Sequence, residues 1–135
     1  MGRTLIVDTS ALYALVDRND PNHAAASTFL RSLTAQDALL LSNHVFDETM
    51  TLTKARLGIH VALQLGMRLR NSRILHSVIF DEGMEMAIWR TFSQYKDKAW
   101  SYTDCASLVL AQTRGIQEAF AFDHHFGQMG LVKVP

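Results

Sequence analysis

The chain has 135 residues, 48% of them apolar, and its 13 basic residues balance 13 acidic ones. That length supports a single domain, residues 1–135, with a substantial core, and the composition is globular, neither disordered nor membrane-like. No apolar run approaches the ~20 residues of a bilayer span, and the single cysteine, Cys105, excludes a disulfide framework and a Cys-based zinc site. Met1-Gly2-Arg3-Thr4 leads straight into an apolar strand, unlike a secretory signal peptide, so a cytoplasmic protein with no membrane association is expected.

Residues 4–7 read as a strand, with β-branched residues and no polar interruption after Thr4. Residues 10–16 read as a helix with Leu12, Leu15 and Val16 on one face. Asp17-Arg18-Asn19-Asp20 breaks the pattern. Asp20-Pro21 then predicts a helix start, because Asp can cap and proline suits the first helical position. This helix is expected to run to about Thr34, with Ala25, Phe29, Leu30 and Leu33 inward. Residues 38–41 are wholly apolar, as in a parallel strand covered on both faces. Ser42 or Asn43 caps a helix to about Leu57, Gly58 ends it, and another helix runs over 60–70. A third strand is read at 74–80, although His76 and Ser77 weaken the pattern. The helix over 81–95 is expected to turn Met84, Ile88, Trp89 and Phe92 inward. After a loop at Lys96-Asp97-Lys98 come a helix at 101–113 closed by Gly115, a strand at 119–122 and a fifth strand at 131–134. Strands alternate with helices throughout, which predicts an α/β fold with a mainly parallel sheet and right-handed crossovers.

Four acids stand out by position: Asp8 and Asp123 at strand ends, Glu48 early in a helix, and Asp104 in the first turn of a helix. Each also has a local explanation. Asp8 can cap the helix at 10–16 and Asp123 the turn at His124, Glu48 can stabilise a helix start, and Ser101 with Asp104 has capping-box spacing. Together they are less ordinary. Open parallel sheets bind ligands beyond the carboxyl ends of their strands, and all four acids belong to that edge. Converging carboxylates repel unless a cation neutralises them. Oxygen donors suit Mg²⁺ or Mn²⁺ better than zinc, and such an ion can activate water against a phosphodiester.

The stretches Val7-Asp8-Thr9-Ser10-Ala11-Leu12, Glu48-Thr49, Ser101-Tyr102-Thr103-Asp104, Gly115-Ile116 and Phe122-Asp123-His124-His125-Phe126 occur in an order that spans the chain. In this the chain resembles the PIN-domain family, and within it the small toxin-type (VapC-like) ribonucleases. The resemblance implies an α/β/α sandwich with a five-stranded sheet ordered 3-2-1-4-5. It implies that Asp8, Glu48, Asp104 and Asp123 hold Mg²⁺ or Mn²⁺ and hydrolyse RNA by a metal-activated water. Asp8 and Asp123 would then lie on neighbouring strands about 4.8 Å apart, within reach of one ion. Ser10 and Thr103 match small polar positions beside the acids. The resemblance also implies a small antitoxin partner and a homodimer, with the Met- and Leu-rich segment 58–69 as a candidate interface.

Other readings stay open at this level. Asp47 and Glu48 point about 100° apart on a helix, and the local pattern does not choose between them. Lys54, Arg56, Arg68, Arg70 and Arg73 occupy a span without acids and are candidates for RNA phosphate contacts, or for an ordinary solvated face. His124 and His125 read as exposed turn residues or as phosphate or proton-transfer groups, Phe126 as the packing anchor of that turn, and the Met and Trp residues as core. A stand-alone PIN nuclease and a non-cleaving RNA- or protein-binding module are the alternative functions. An Asp-nucleophile phosphotransferase is disfavoured, because Asp8-Thr9-Ser10 lacks a second acid two residues on.

Overall fold

A computed structural model describes residues 2–135; Met1, the first residue of the expected domain, lies outside the described residues. The strands are β1 (Thr4–Val7), β2 (Ala38–Ser42), β3 (Leu75–Val78), β4 (Glu118–Phe120) and β5 (Val132–Val134). They form one sheet in the order β3-β2-β1-β4-β5, with every pairing parallel. The helices are α1 (Thr9–Val16), α2 (His23–Ser32), α3 (Asn43–Leu57), α4 (Ile59–Asn71), α5 (Glu82–Gln94), α6 (Tyr102–Arg114) and the short α7 (His125–Gln128). Among the described residues no helix is long and apolar enough to cross a membrane.

The apolar strands reflect burial on both faces. Successive side chains alternate sides, so Leu5, Val7, Leu39, Leu41 and Phe120 join a core with α1, α2, α3 and α4. Ile6, Leu40 and Ala119 join a second core with α5 and α6. This is the expected α/β/α sandwich. Each fully buried aliphatic side chain contributes roughly 1.5–3 kcal/mol, and Leu5, Ile6 and Leu39 are all at or below 1% exposure.

Several elements differ from the sequence reading. Helix α2 begins at His23, because the Asp20 carboxylate accepts the Asn22 N–H and closes a turn first. It ends at Ser32, and Asp37 gathers the Thr34 N–H into a separate turn. In α2, Ala26 is buried and Ala25 is exposed. Strand β3 stops at Val78; the Phe80 N–H donates to Asn43 Oδ1 and Asp81 caps α5. Strand β4 stops at Phe120, because the Phe122 N–H leaves the ladder to bond Ser10 Oγ. Asp123 therefore lies three residues past the strand end. On α5 only Ile88 is fully buried, with Met84 and Ala87 packed beside it. Trp89 and Phe92, expected inward, are 62% and 41% exposed. Trp89 lies one residue, about 100°, off the buried stripe. Met67 and Met86 are also exposed, against the expectation that the methionines are core.

Candidate active site

Asp8 leaves the end of β1 at the sheet centre and caps α1, its Oδ2 accepting the Ser10 N–H at 3.0 Å and the Ser10 hydroxyl at 2.6 Å. The same hydroxyl accepts the Phe122 N–H at 3.0 Å. Ser10 thus ties the turn that carries Asp8 to the segment that carries Asp123. Asp104 sits in the first turn of α6 in a full capping box: Ser101 Oγ accepts the Asp104 N–H at 3.0 Å, and Asp104 Oδ2 accepts the Ser101 N–H at 2.9 Å. Glu48 projects from α3 past its first turn, so it does not stabilise the helix start that its sequence position allowed. It lines a cavity of about 440 Å³ together with Asp8, Asp104 and Asp123. The local capping roles and the shared cavity coexist, because a carboxylate held through one oxygen still presents the other.

Asp47 is exposed and lines a different cavity with Arg70 and Ser77. The choice between Asp47 and Glu48 that local sequence leaves open is made by which face of α3 meets the sheet edge. Thr49, one residue further, is fully buried and its hydroxyl donates to Thr9 Oγ1 at 3.3 Å, docking α3 onto α1 beside Asp8.

Asp8 is 4% exposed. Burial pushes its carboxyl up to about 6; the Ser10 hydrogen bonds oppose this, and the charges of Asp104 and Glu48 add to it. A buried carboxylate beside like charges is a site that favours a cation.

His125 is placed differently from an exposed turn residue. Its side chain is 15% exposed and its Nδ1–H donates to Asp104 Oδ2 at 2.9 Å. Its backbone N–H donates to Asp123 Oδ1 at 2.9 Å. His124, by contrast, is 77% exposed, with its Nδ1 3.6 Å from Asp123 Oδ1. The signal that could have found His125 is Asp123 itself: an Asx turn that accepts the i+2 N–H folds that residue back toward the acids. Thr9, Tyr13, Asp20, Asn22 and Ser101 also line the cavity and are not singled out as site residues by the sequence. Thr103 is not among the lining residues.

Of the five basic candidates only Arg56 reaches this cavity. Its guanidinium stacks 5.2 Å above the Tyr13 ring, and the Tyr13 hydroxyl donates to Asp17 Oδ2 at 2.7 Å. Lys54 and Arg70 flank a groove between α3 and α4, Arg68 borders a cavity on the other side of α1, and Arg73 is exposed elsewhere. The stripe read along the sequence is therefore dispersed in space.

Among the described residues, only Asp123, His124 and His125 offer one ligand atom each within 4.8 Å of one another. No three of the four acids bring ligand atoms within that distance of one another. His125 Nδ1 is engaged as a donor to Asp104, whereas a ligating nitrogen must be free of its proton. The oxygen donors of the acids suit Mg²⁺ or Mn²⁺, and an ion that keeps several waters tolerates their spacing. The residues fit such an ion.

A family model described as the PIN domain matches residues 5–131. The chain belongs to the PIN-domain family. Among characterised PIN relatives, the 23S rRNA-specific endonuclease VapC20 of Mycobacterium tuberculosis is 31% identical over 130 residues, 96% of this chain and 97% of that one. Ribonuclease VapC26 of the same organism is 30% identical over 126 residues, 93% of this chain and 91% of that one. The crystal structure of VapC20, described as a sarcin-ricin loop cleaving toxin, matches this PIN fold with a TM-score of 0.87 at 29% identity, covering 95% of this chain and 96% of that chain.

Proposed function

We propose that this PIN protein is a divalent-metal-dependent endoribonuclease that hydrolyses RNA phosphodiester bonds in the cytoplasm, as the toxin of a toxin–antitoxin pair. The observation that carries the reading is the meeting of Asp8, Glu48, Asp104 and Asp123, from four separate elements, in one cavity at the carboxyl edge of the sheet. The sequence likeness to two mycobacterial ribonucleases supports it.

In this reading the four acids hold Mg²⁺ or Mn²⁺, which when bound supplies an activated water and stabilises charge on the phosphoryl group. The chain's own part is to orient those acids. Ser10 holds Asp8 through two hydrogen bonds, and Ser101 holds Asp104. Arg56, kept at the rim by Tyr13, binds a substrate phosphate. A structured ribosomal RNA loop is the substrate to try first, since VapC20 is named for 23S rRNA and for the sarcin-ricin loop. A small antitoxin partner and a homodimer complete the proposal. The exposed Ile59, Leu63 and Met67 of α4 provide an apolar face for self-association.

The test is cleavage of such an RNA with Mg²⁺ or Mn²⁺ by the wild type, Asp8→Asn and Asp104→Asn. The expected result is cleavage lowered by roughly a hundredfold or more in both folded variants and in the wild type with chelator. Full activity in both variants overturns the proposal, and Mn²⁺ binding without cleavage of any RNA supports a binding module instead. Toxic expression rescued by a small neighbouring gene product tests the antitoxin.

A further inference from the structure

His125 touches two acids that arrive on different elements. Its Nδ1 lies 2.9 Å from Asp104 Oδ2, on α6, and 3.3 Å from Asp123 Oδ1, in the turn after β4. Its backbone N–H donates to the same Asp123 oxygen at 2.9 Å. The turn beneath it is anchored: Phe126 is fully buried, and its carbonyl accepts the Met129 and Leu131 N–H groups. The ring is therefore carried on a fixed support and is mostly enclosed, while neighbouring His124 projects into solvent.

A carboxylate accepts but does not donate when ionised, so the proton in this contact belongs to Nδ1. Asp104 Oδ2 then receives two donors, the Ser101 N–H and the His125 Nδ1–H. Two donors on one oxygen fix the plane of the carboxylate and leave Oδ1 as the oxygen presented to a ligand. The same ring lies beside Asp123, where a donor between two carboxylates offsets their repulsion.

We propose that His125 is a positioning residue for the divalent ion: its Nδ1–H sets the orientation of Asp104, with Asp123 alongside, so that both acids face one ion. The inference rests on reading the four acids as the ion's ligands. It differs from direct ligation, which needs Nδ1 to lose its proton and release Asp104. It differs also from a substrate contact, which would use the other ring nitrogen, Nε2.

The two nitrogens can be separated chemically. The amide nitrogen of Asn reproduces Nδ1, and that of Gln reproduces Nε2. Mn²⁺ titration by calorimetry, with no RNA present, is applied to the wild type, His125→Ala, His125→Asn and His125→Gln, with circular dichroism to verify folding. Ala and Gln are expected to weaken Mn²⁺ binding about tenfold or more, as loss of a hydrogen bond to a ligating group does, and Asn to stay within about threefold of the wild type. Unchanged affinity in Ala, or rescue by Gln and not by Asn, overturns the inference. If Ala does not fold, the contrast between Asn and Gln alone decides it. A wild type that binds no Mn²⁺ overturns the reading of the acids as ligands, an outcome distinct from a wild type that binds and variants that do not differ.

Discussion

Helix α1 separates two cavities of nearly equal size. Its Thr9, Ser10 and Tyr13 face the acidic cavity of about 440 Å³, while Leu12, Leu15 and Val16 face one of about 420 Å³ walled by Leu30, Leu65 and Leu69. The spacings 9, 13 and 12, 15, 16 are the two sides of one helical turn pattern. The acidic side gathers groups that resist burial, and it is held open by hydrogen bonds from Ser10, Ser101 and His125. The apolar side gathers groups that favour burial, and it is held by packing. Volume alone does not tell a reactive cavity from a packing defect or a docking groove. What distinguishes them is whether the lining groups gain or lose free energy by being there.

Substitutions on the two sides of α1 should therefore separate activity from stability. The largest effect is expected from Asp104→Asn on the acidic side, which should lower RNA cleavage by roughly a hundredfold or more with the fold intact by circular dichroism. Next, Leu12→Ala, at a position 1% exposed, should cost about 2–4 kcal/mol of stability in urea denaturation and leave the cleavage rate of the folded fraction near that of the wild type. A Leu12→Ala variant as stable as the wild type would mean that the apolar wall carries no packing energy.

Asp8 sharpens the contrast from the other direction, because its burial opposes stability. Its carboxyl is raised from 3.8 to about 6 in the folded chain, so the native state holds the proton more tightly than the unfolded one. Stability from this group is present below about pH 4 and is lost as pH rises through about 6, a change on the order of 2–3 kcal/mol. Asp8→Asn should keep the Ser10 hydrogen bonds and, in metal-free buffer at pH 7, raise the unfolding free energy by about 1–2 kcal/mol. It should also flatten the fall between pH 4 and 7. A pH profile that is identical in the two proteins would count against the buried-charge account. The smallest effect is expected from Ser101→Ala, which removes one side of the capping box at a cost of about 1 kcal/mol. Cleavage by the folded fraction should stay near that of the wild type, because the Ser101 backbone N–H that holds Asp104 Oδ2 survives the substitution.

Much of the fold could be read along the chain for a simple reason. Residues 38–41 are apolar without a break because both faces of β2 are covered, and Gly115 and Ser101 mark the ends of α6 by backbone and hydrogen-bond requirements that are local. Asp8, Asp104 and Asp123 could be picked out because each comes after a strand or opens a helix, whereas Glu48 lies past the first turn of α3 and has no such local mark; the common edge is a consequence of the parallel order of the sheet. The places where the reading failed depend on neighbours distant in sequence. Trp89 and Phe92 fit an inward helical stripe as well as their neighbours do, and only the position of α6 against α5 selects Met84, Ala87 and Ile88. Strand β4 ends early because Ser10, 112 residues away, takes the Phe122 N–H.

By itself the sequence determined the alternation of elements, the apolar strands and the presence of four well-placed acids, since periodicity, capping and burial preference act over a few residues. Tertiary structure put Glu48, and not Asp47, on the cavity of the other three acids, dispersed the basic stripe so that only Arg56 lines that cavity, and turned His125 from a turn residue into a bridge between Asp104 and Asp123. These outcomes rest on which faces of separate helices meet at the sheet edge, and that is set by packing over the whole chain.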